Sequence, residues 1–425
     1  MSTFNIIALV LVVTAIFAVI NDRYIKLHRT IGVMLIALVM SLLILFAKWV
    51  GIIHNDIMTE MISKVHFGET LIQGMLGALL FAGAINIKSE DLKPRLIPIT
   101  VLAICGVLIS TLVVGYLMYL TISIIDGVDI PLLYCLTFAA LISPTDPIAV
   151  LAILRSIGVS KGLEMDVCGE SLFNDGIGLV IFTFFFALAI NADTMSAAEV
   201  GLFFVQNVGG AILLGAMSSY IVYLLMRSTT DYHIEILLSL ALVFGSFQFA
   251  EWIGVSAAIT VVITGLVFGH LVSNNMGVKS RESLYTFWEV IDEILNTVLF
   301  VMLGVVLLLL PTDINHMFLG LLAIAIVLFG RWLSVAIPVS ILKKWYFFSP
   351  RSIRILTWGG LRGGLSVAMA LSLPESIFRD YILIMTYAVV VFSIIIQGTT
   401  IKKLAGKSSE GKNRYRIAEL NQLNK

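Results

Sequence analysis

The chain has 425 residues, of which 59% are hydrophobic and 13% charged, about half the charged share of a soluble globular protein. Its 27 basic and 27 acidic residues balance, which leaves no net field to draw nucleic acid or an acidic partner. Three cysteines, Cys105, Cys135 and Cys168, sit in or beside apolar stretches without metal-ligand spacing, which excludes a disulfide scaffold and a zinc site.

The first residues, MSTFN and an apolar run, lack a basic leader and a small-residue cleavage site, so the run reads as a retained helix. A hydrocarbon core about 30 Å thick takes about 20 apolar helical residues to cross. Spans are expected near residues 4–20, 31–47, 67–87, 96–125, 130–154, 166–190, 200–226, 233–250, 252–271, 290–310, 315–341, 353–374 and 380–401. The fold class is an all-α polytopic membrane protein with about 13 transmembrane helices.

Basic residues crowd into alternate loops: Arg23, Lys26 and Arg29; Lys88, Lys93 and Arg95; Arg155 and Lys161; Arg227; Lys279 and Arg281; and Lys343, Lys344, Arg351 and Arg354. These loops go to the cytoplasm. The opposite loops hold Asp126, Asp129, Asp193, Glu199, Glu251 and Asp313, with Lys48, Lys64 and Arg379 as their basic residues. The N-terminus is therefore expected outside. One membrane domain covers 1–402, and the basic tail 403–425 lies inside, too short for a regulatory domain.

Two spans are interrupted. The fifth, LTFAALISPTDPIAVLAIL, loses two backbone donors at Pro144 and Pro147, which predicts a break around Thr145. The twelfth, LTWGGLRGGLSVAMAL, has four glycines, which suit either irregular backbone or close helix packing. Pairs of interrupted helices mark the binding site of many transporters.

Ionisable groups at membrane depth cost about 2.5–3.5 kcal/mol each on insertion scales. Five stand out: Asp146, Glu170, Asp175, Arg331 and Arg362. Counting 1.5 Å per residue from the inner ends of their spans puts Asp146, Asp175, Arg331 and Arg362 roughly 12–15 Å deep, in one layer, so a shared polar cluster is expected. Asp146 lies beside the Thr145 hydroxyl at the break. Ser171 and Asn174 share a helical segment with Asp175, giving hydroxyl, amide and carboxylate oxygens of the kind that hard cations prefer. A carboxylate holds a proton or a cation in turn, and that competition couples the two. Glu170 and the two arginines suit a structural ion-pair network.

Glu289, Asp292 and Glu293 read as acids at the start of a helix, favoured there by its dipole, or as attractors of cations to an inward funnel. His54, His66 and His316 fall in outer loops and His28 in an inner one; His233 and His270 lie near inner helix ends.

Four segments together resemble the monovalent cation/proton antiporters, in the branch of bacterial NhaP-type proteins and animal sodium/proton exchangers. They are SPTDP at 143–147, GESLFNDG at 169–176, EILLSLALVFGSFQFAEWIGVSAAITVVITGLVFG at 235–269, and TWGGLRGGLSVAMALSLP at 357–374. The resemblance implies an NhaA-like antiporter fold, with two inverted repeats whose broken helices cross, a homodimer in a cell membrane, and a core domain that moves. It implies a transporter and not an enzyme, with Na+ bound at Asp175, Asp146, Thr145 and Ser171, and Asp175 as principal carrier. Asn174 in place of an aspartate implies electroneutral exchange of one Na+ or Li+ for one H+. Glu170, Arg331 and Arg362 become supporting residues. Potassium/proton exchange and a cation channel remain the alternatives; no cofactor and no nucleic-acid partner are expected, and lipid is. One departure is that many bacterial relatives read LLFEGG in the third span where this chain reads LLFAGA, with Ala82 at the acid's place; Glu69 and Asn86, at the ends of that span, are not replacements.

Overall fold

The computed structural model describes residues 3–406 apart from 28, 52–74, 88, 126–129, 157, 192–196, 230, 310–313 and 350. Glu69, His28, His54, His66, Lys64, Asp126, Asp129, Asp193, Asp313 and the tail beyond 406 lie outside the described residues.

Apolar content and the need to satisfy every backbone group without water produce helices. In chain order they are α1 (Thr3–Ile20), α2 (Arg29–Trp49), α3 (Gly77–Ile85), α4 (Leu96–Ile125), α5 (Leu132–Ile142), α6 (Ile148–Ser156), α7 (Lys161–Asn191), α8 (Ala197–Phe204), α9 (Gly210–Met226), α10 (Tyr232–Ile253), α11 (Ala257–Asn275), α12 (Val278–Val306), α13 (Ile314–Leu342), α14 (Ser352–Trp358), α15 (Gly364–Leu371), α16 (Ile377–Phe392) and α17 (Gly398–Gly406). Short π-helical turns at Val205–Gly209 and Ser393–Gln397 join α8 to α9 and α16 to α17.

Nine helical stretches among the described residues are long and apolar enough to cross a bilayer. The other four expected spans fall short for separate reasons. The third runs into residues outside the description; the fifth and twelfth are the broken pairs α5–α6 and α14–α15; the tenth, α12, carries acids in its middle. The order long helix, broken helix, long helix occurs twice, as α4, α5–α6, α7 and as α13, α14–α15, α16. Four crossings, α8–α9, α10, α11 and α12, lie between the two three-crossing sets, so α13 starts seven crossings after α4 and the sets run in opposite directions, the inverted repeat expected.

The start of α12 corrects one expectation. The helix begins at Val278 after Gly277, so Glu289, Asp292 and Glu293 lie about three to four turns inside it. A helix dipole acts within its first turn, and these acids need another explanation.

The helices pack as two groups. One core joins α4–α7 to α13–α17, through residues such as Met118, Phe138, Ile181, Val335 and Val390. The second joins α3, α10, α11 and the first half of α12, with the Phe81 ring 4.7 Å from Trp288 and 6.0 Å from Phe268. Lipid is as apolar as these side chains, so close packing rather than water exclusion holds membrane helices together, and small residues permit it. Gly269 shows this between α11 and α3: a Cβ there would stand 2.7 Å from the Ile85 carbonyl oxygen, while one at Gly245 on α10 meets nothing within 4 Å.

Gly269→Ala therefore forces backbone apart and costs about 1–3 kcal/mol, whereas Gly245→Ala is neutral or stabilising because alanine is the better helix former. Melting of the detergent-purified variants checks this; equal melting temperatures would contradict it.

Candidate functional site

Prolines 144 and 147 end α5 at Ile142 and delay α6 to Ile148, leaving 143–147 unwound. Opposite, 359–363 separate α14 from α15. The two breaks meet: the Asp146 N–H donates to the Leu361 carbonyl at 2.7 Å in an antiparallel bridge. Gly363 makes the approach possible, since a Cβ there would lie 2.8 Å from the Asp146 Cβ.

Each break frees carbonyl and N–H groups from helical hydrogen bonds, and the sequence supplies partners for several of them. The buried Arg362 donates from Nη1 to the carbonyls of Ser143 and Pro144, the latter at 2.9 Å. The Ser171 hydroxyl donates to the Thr145 carbonyl. Asn174 grips Thr145 twice, accepting from its N–H at 3.2 Å and donating from Nδ2 to its Oγ1 at 2.9 Å. A charged carboxylate could only accept.

Behind the breaks, Arg331 on α13 makes a two-armed ion pair with Glu170 on α7, one arm at 2.8 Å, and donates to the Leu356 carbonyl on α14 at 3.0 Å. Both are almost fully buried. The five expected ionisable residues thus gather in one region but divide the work. Arg331 and Glu170 pair, Arg362 serves backbone carbonyls rather than a carboxylate, and the two aspartates face open space.

That space is a cavity of about 770 Å³ between the two helix groups, with Asp146, Thr145 and Asp175 on one wall. Both aspartates are half-buried. The facing wall brings Ala82, Gly83 and Asn86 from α3 and Glu289, Asp292, Glu293 and Asn296 from α12. Asn86 donates to the Ala82 carbonyl at 2.9 Å, and Ala82 itself presents no side-chain oxygen. Carboxylate, hydroxyl and amide oxygens thus lie around one water-sized or larger space, as binding a hard cation requires.

Of the two sequence readings of Glu289, Asp292 and Glu293, helix start or funnel, their place on the cavity wall agrees with the second; sequence reasoning did not single out Asn296, which recurs with them at helical spacing and so lies on the same face. It also did not find the Arg29–Glu293 contact at 2.5 Å. Of the two histidines near inner helix ends, His233 is exposed at the start of α10, where its N–H donates to the Asp231 carboxylate at 2.9 Å and holds that carboxyl below its usual range. His270 lies 3.2 Å from the Asn274 amide.

Breaking a buried ion pair by removing one partner costs about 3–5 kcal/mol. Arg331→Met and Glu170→Gln should each lower the melting temperature strongly, and the double variant should lose less than the sum of the two. Strict additivity would mean that the pair does not act as a unit.

Residues 6–407 match the family described as sodium/hydrogen exchanger, transmembrane. A protein named Na(+)/H(+) antiporter NhaP from Pseudomonas aeruginosa is 41% identical over 413 residues, covering 96% of this chain and 97% of its own length. Na(+)/H(+) antiporter NhaH from Halobacillus aidingensis is 36% identical over 347 residues, 80% of this chain and 83% of its own. The solved structure of the sodium proton antiporter MjNhaP1 from Methanocaldococcus jannaschii at pH 8 is 18% identical and superposes with a TM-score of 0.74 over 95% of this chain and 97% of that one, a likeness of fold. With its fold, its crossed breaks and the match over nearly its whole length, the chain belongs to the sodium/hydrogen exchanger family.

Proposed function

We propose that this protein exchanges one sodium ion for one proton across a cell membrane by alternating access, with Asp175 as carrier and Asp146, Thr145 and Ser171 as further oxygen ligands. The observation that carries this reading is the pairing of Asp146 and Asp175 on one wall of a cavity, beside a broken helix. Two neighbouring carboxylates repel each other when both are charged, and either a proton or a cation relieves that repulsion. Only the relieved states cross.

Asn174 supports one-for-one exchange. A carboxylate at that position could not donate to Thr145 Oγ1, so the amide serves the break and adds no third charge. A site that carries Na+ one way and H+ the other then moves no net charge. The names of the similar antiporters support sodium as the cation.

Arg29 and Arg155, from the basic loops assigned to the cytoplasm, line the same cavity with exposed side chains. We therefore read the structure as inward-open, with the N-terminus outside and the C-terminal tail in the cytoplasm. Residues 1–402 act as one transport domain, in a homodimer embedded in lipid. Glu170, Arg331 and Arg362 support the site without binding the ion.

Purified protein in vesicles containing a pH dye, with voltage clamped by ionophore, tests the reading with sodium, lithium and potassium pulses. Wild type should move protons in response to sodium at any clamped voltage, and Asp175→Asn should abolish this. Normal exchange by the variant would remove Asp175 from its role; a voltage-dependent rate would end electroneutrality; a response to potassium alone would reassign the cation.

Competition also sets a pH dependence. Protons occupy the carboxylates as pH falls, so the apparent KM for sodium should rise toward acid pH. A KM that stays constant from neutral to acid pH would contradict a shared site.

A further inference from the structure

We propose that a single buried water molecule binds behind the second break and bridges Arg362 Nη2 to Thr357 Oγ1, so that Thr357 positions the guanidinium that serves the first break. This concerns the scaffold of the site and goes beyond the exchange reading, on which it does not rest.

Arg362 is 2% exposed. Its Nη1 is spent on the Ser143 and Pro144 carbonyls, while its Nη2 is shut off from solvent with no hydrogen-bond partner among the described residues. An unmade hydrogen bond costs more on a buried charged group than on a neutral one, so this nitrogen demands an acceptor. Thr357 Oγ1, near the end of α14, is likewise out of solvent and has no partner among the described residues. Both residues line one small cavity. The space there open to a water-sized sphere is about 10 Å³, which holds about one water.

The rest of the lining narrows what can sit there. Arg331 already donates to Glu170 and to the Leu356 carbonyl, and Gln397 donates to the Trp358 carbonyl at 3.1 Å. Apolar side chains such as Val327, Val389 and Phe392 form the other walls. Two guanidiniums beside the space exclude a cation, and its size excludes a hydrated ion. A water suits both orphaned atoms, because the guanidinium only donates and the threonine hydroxyl accepts as well.

The carbonyls of the first break then lead through Arg362 and the water to α14, which ends at the second break. The two breaks are thus joined twice, once by main chain between Asp146 and Leu361 and once through this water.

A crystallographic or electron-microscopic map of the wild-type protein that resolves internal waters tests this directly. The expected result is one peak within hydrogen-bond distance of both Arg362 Nη2 and Thr357 Oγ1. Thr357→Val keeps the shape and removes the hydroxyl; the peak should disappear and melting should fall by a few degrees. Thr357→Ser should keep the peak and most of the stability. The bridge would be overturned by a wild-type map that shows other internal waters but none here, by direct contact of the two side chains, by a peak that bromide replaces, or by equal melting of the valine and serine variants. If Thr357→Val does not fold, the wild-type and Thr357→Ser maps decide.

Discussion

Everything at the centre of this protein follows from two helices that stop inside a membrane. A broken helix in lipid leaves carbonyl and N–H groups that water cannot satisfy, at several kcal/mol each. Here the two breaks answer each other, the Asp146 N–H with the Leu361 carbonyl; Arg362, Ser171 and Asn174 serve the main chain of 143–145, and Arg331, Ser393 and Gln397 serve that of the second break. Polar residues that would otherwise be costly at this depth become necessary. Their number and placement are set by the geometry of the gap before any ion enters.

A second layer of contacts fixes that gap against the surrounding helices. Arg331 reaches from α13 to Glu170 on α7 and to the Leu356 carbonyl on α14, tying the long helices of both repeats to one of the interrupted ones. The helices α4–α7 and α13–α17 share one apolar core, while α3, α10 and α11 share another. The cavity lies at the seam between the two. A seam between two well-packed groups is where rigid bodies shift against each other at least cost, and alternating access at a fixed site needs such a seam.

Much of this was legible in the sequence because each feature has a local cause. Pro144 and Pro147 announce the first break, hydropathy announces the spans, and the improbable depth of Asp146, Glu170, Asp175, Arg331 and Arg362 announces a cluster. What was not legible depends on contacts between distant segments. Nothing near Arg362 says that its guanidinium goes to the Ser143 and Pro144 carbonyls, or that Asn174 holds Thr145 from both sides. The start of α12 was misplaced because residues 278–289 are polar on most of their surface and carry no apolar run, although they continue the same helix. Moving that start turned three acids from terminal decoration into part of a cavity wall.

The bond between the two breaks joins main chain to main chain. Its strength does not depend on which side chain residue 146 carries, provided that Gly363 leaves room. The scaffold and the ligand set are thereby separable. A carboxylate, an amide or a hydroxyl at 146 would present a different face to the cavity while the crossing stays in place.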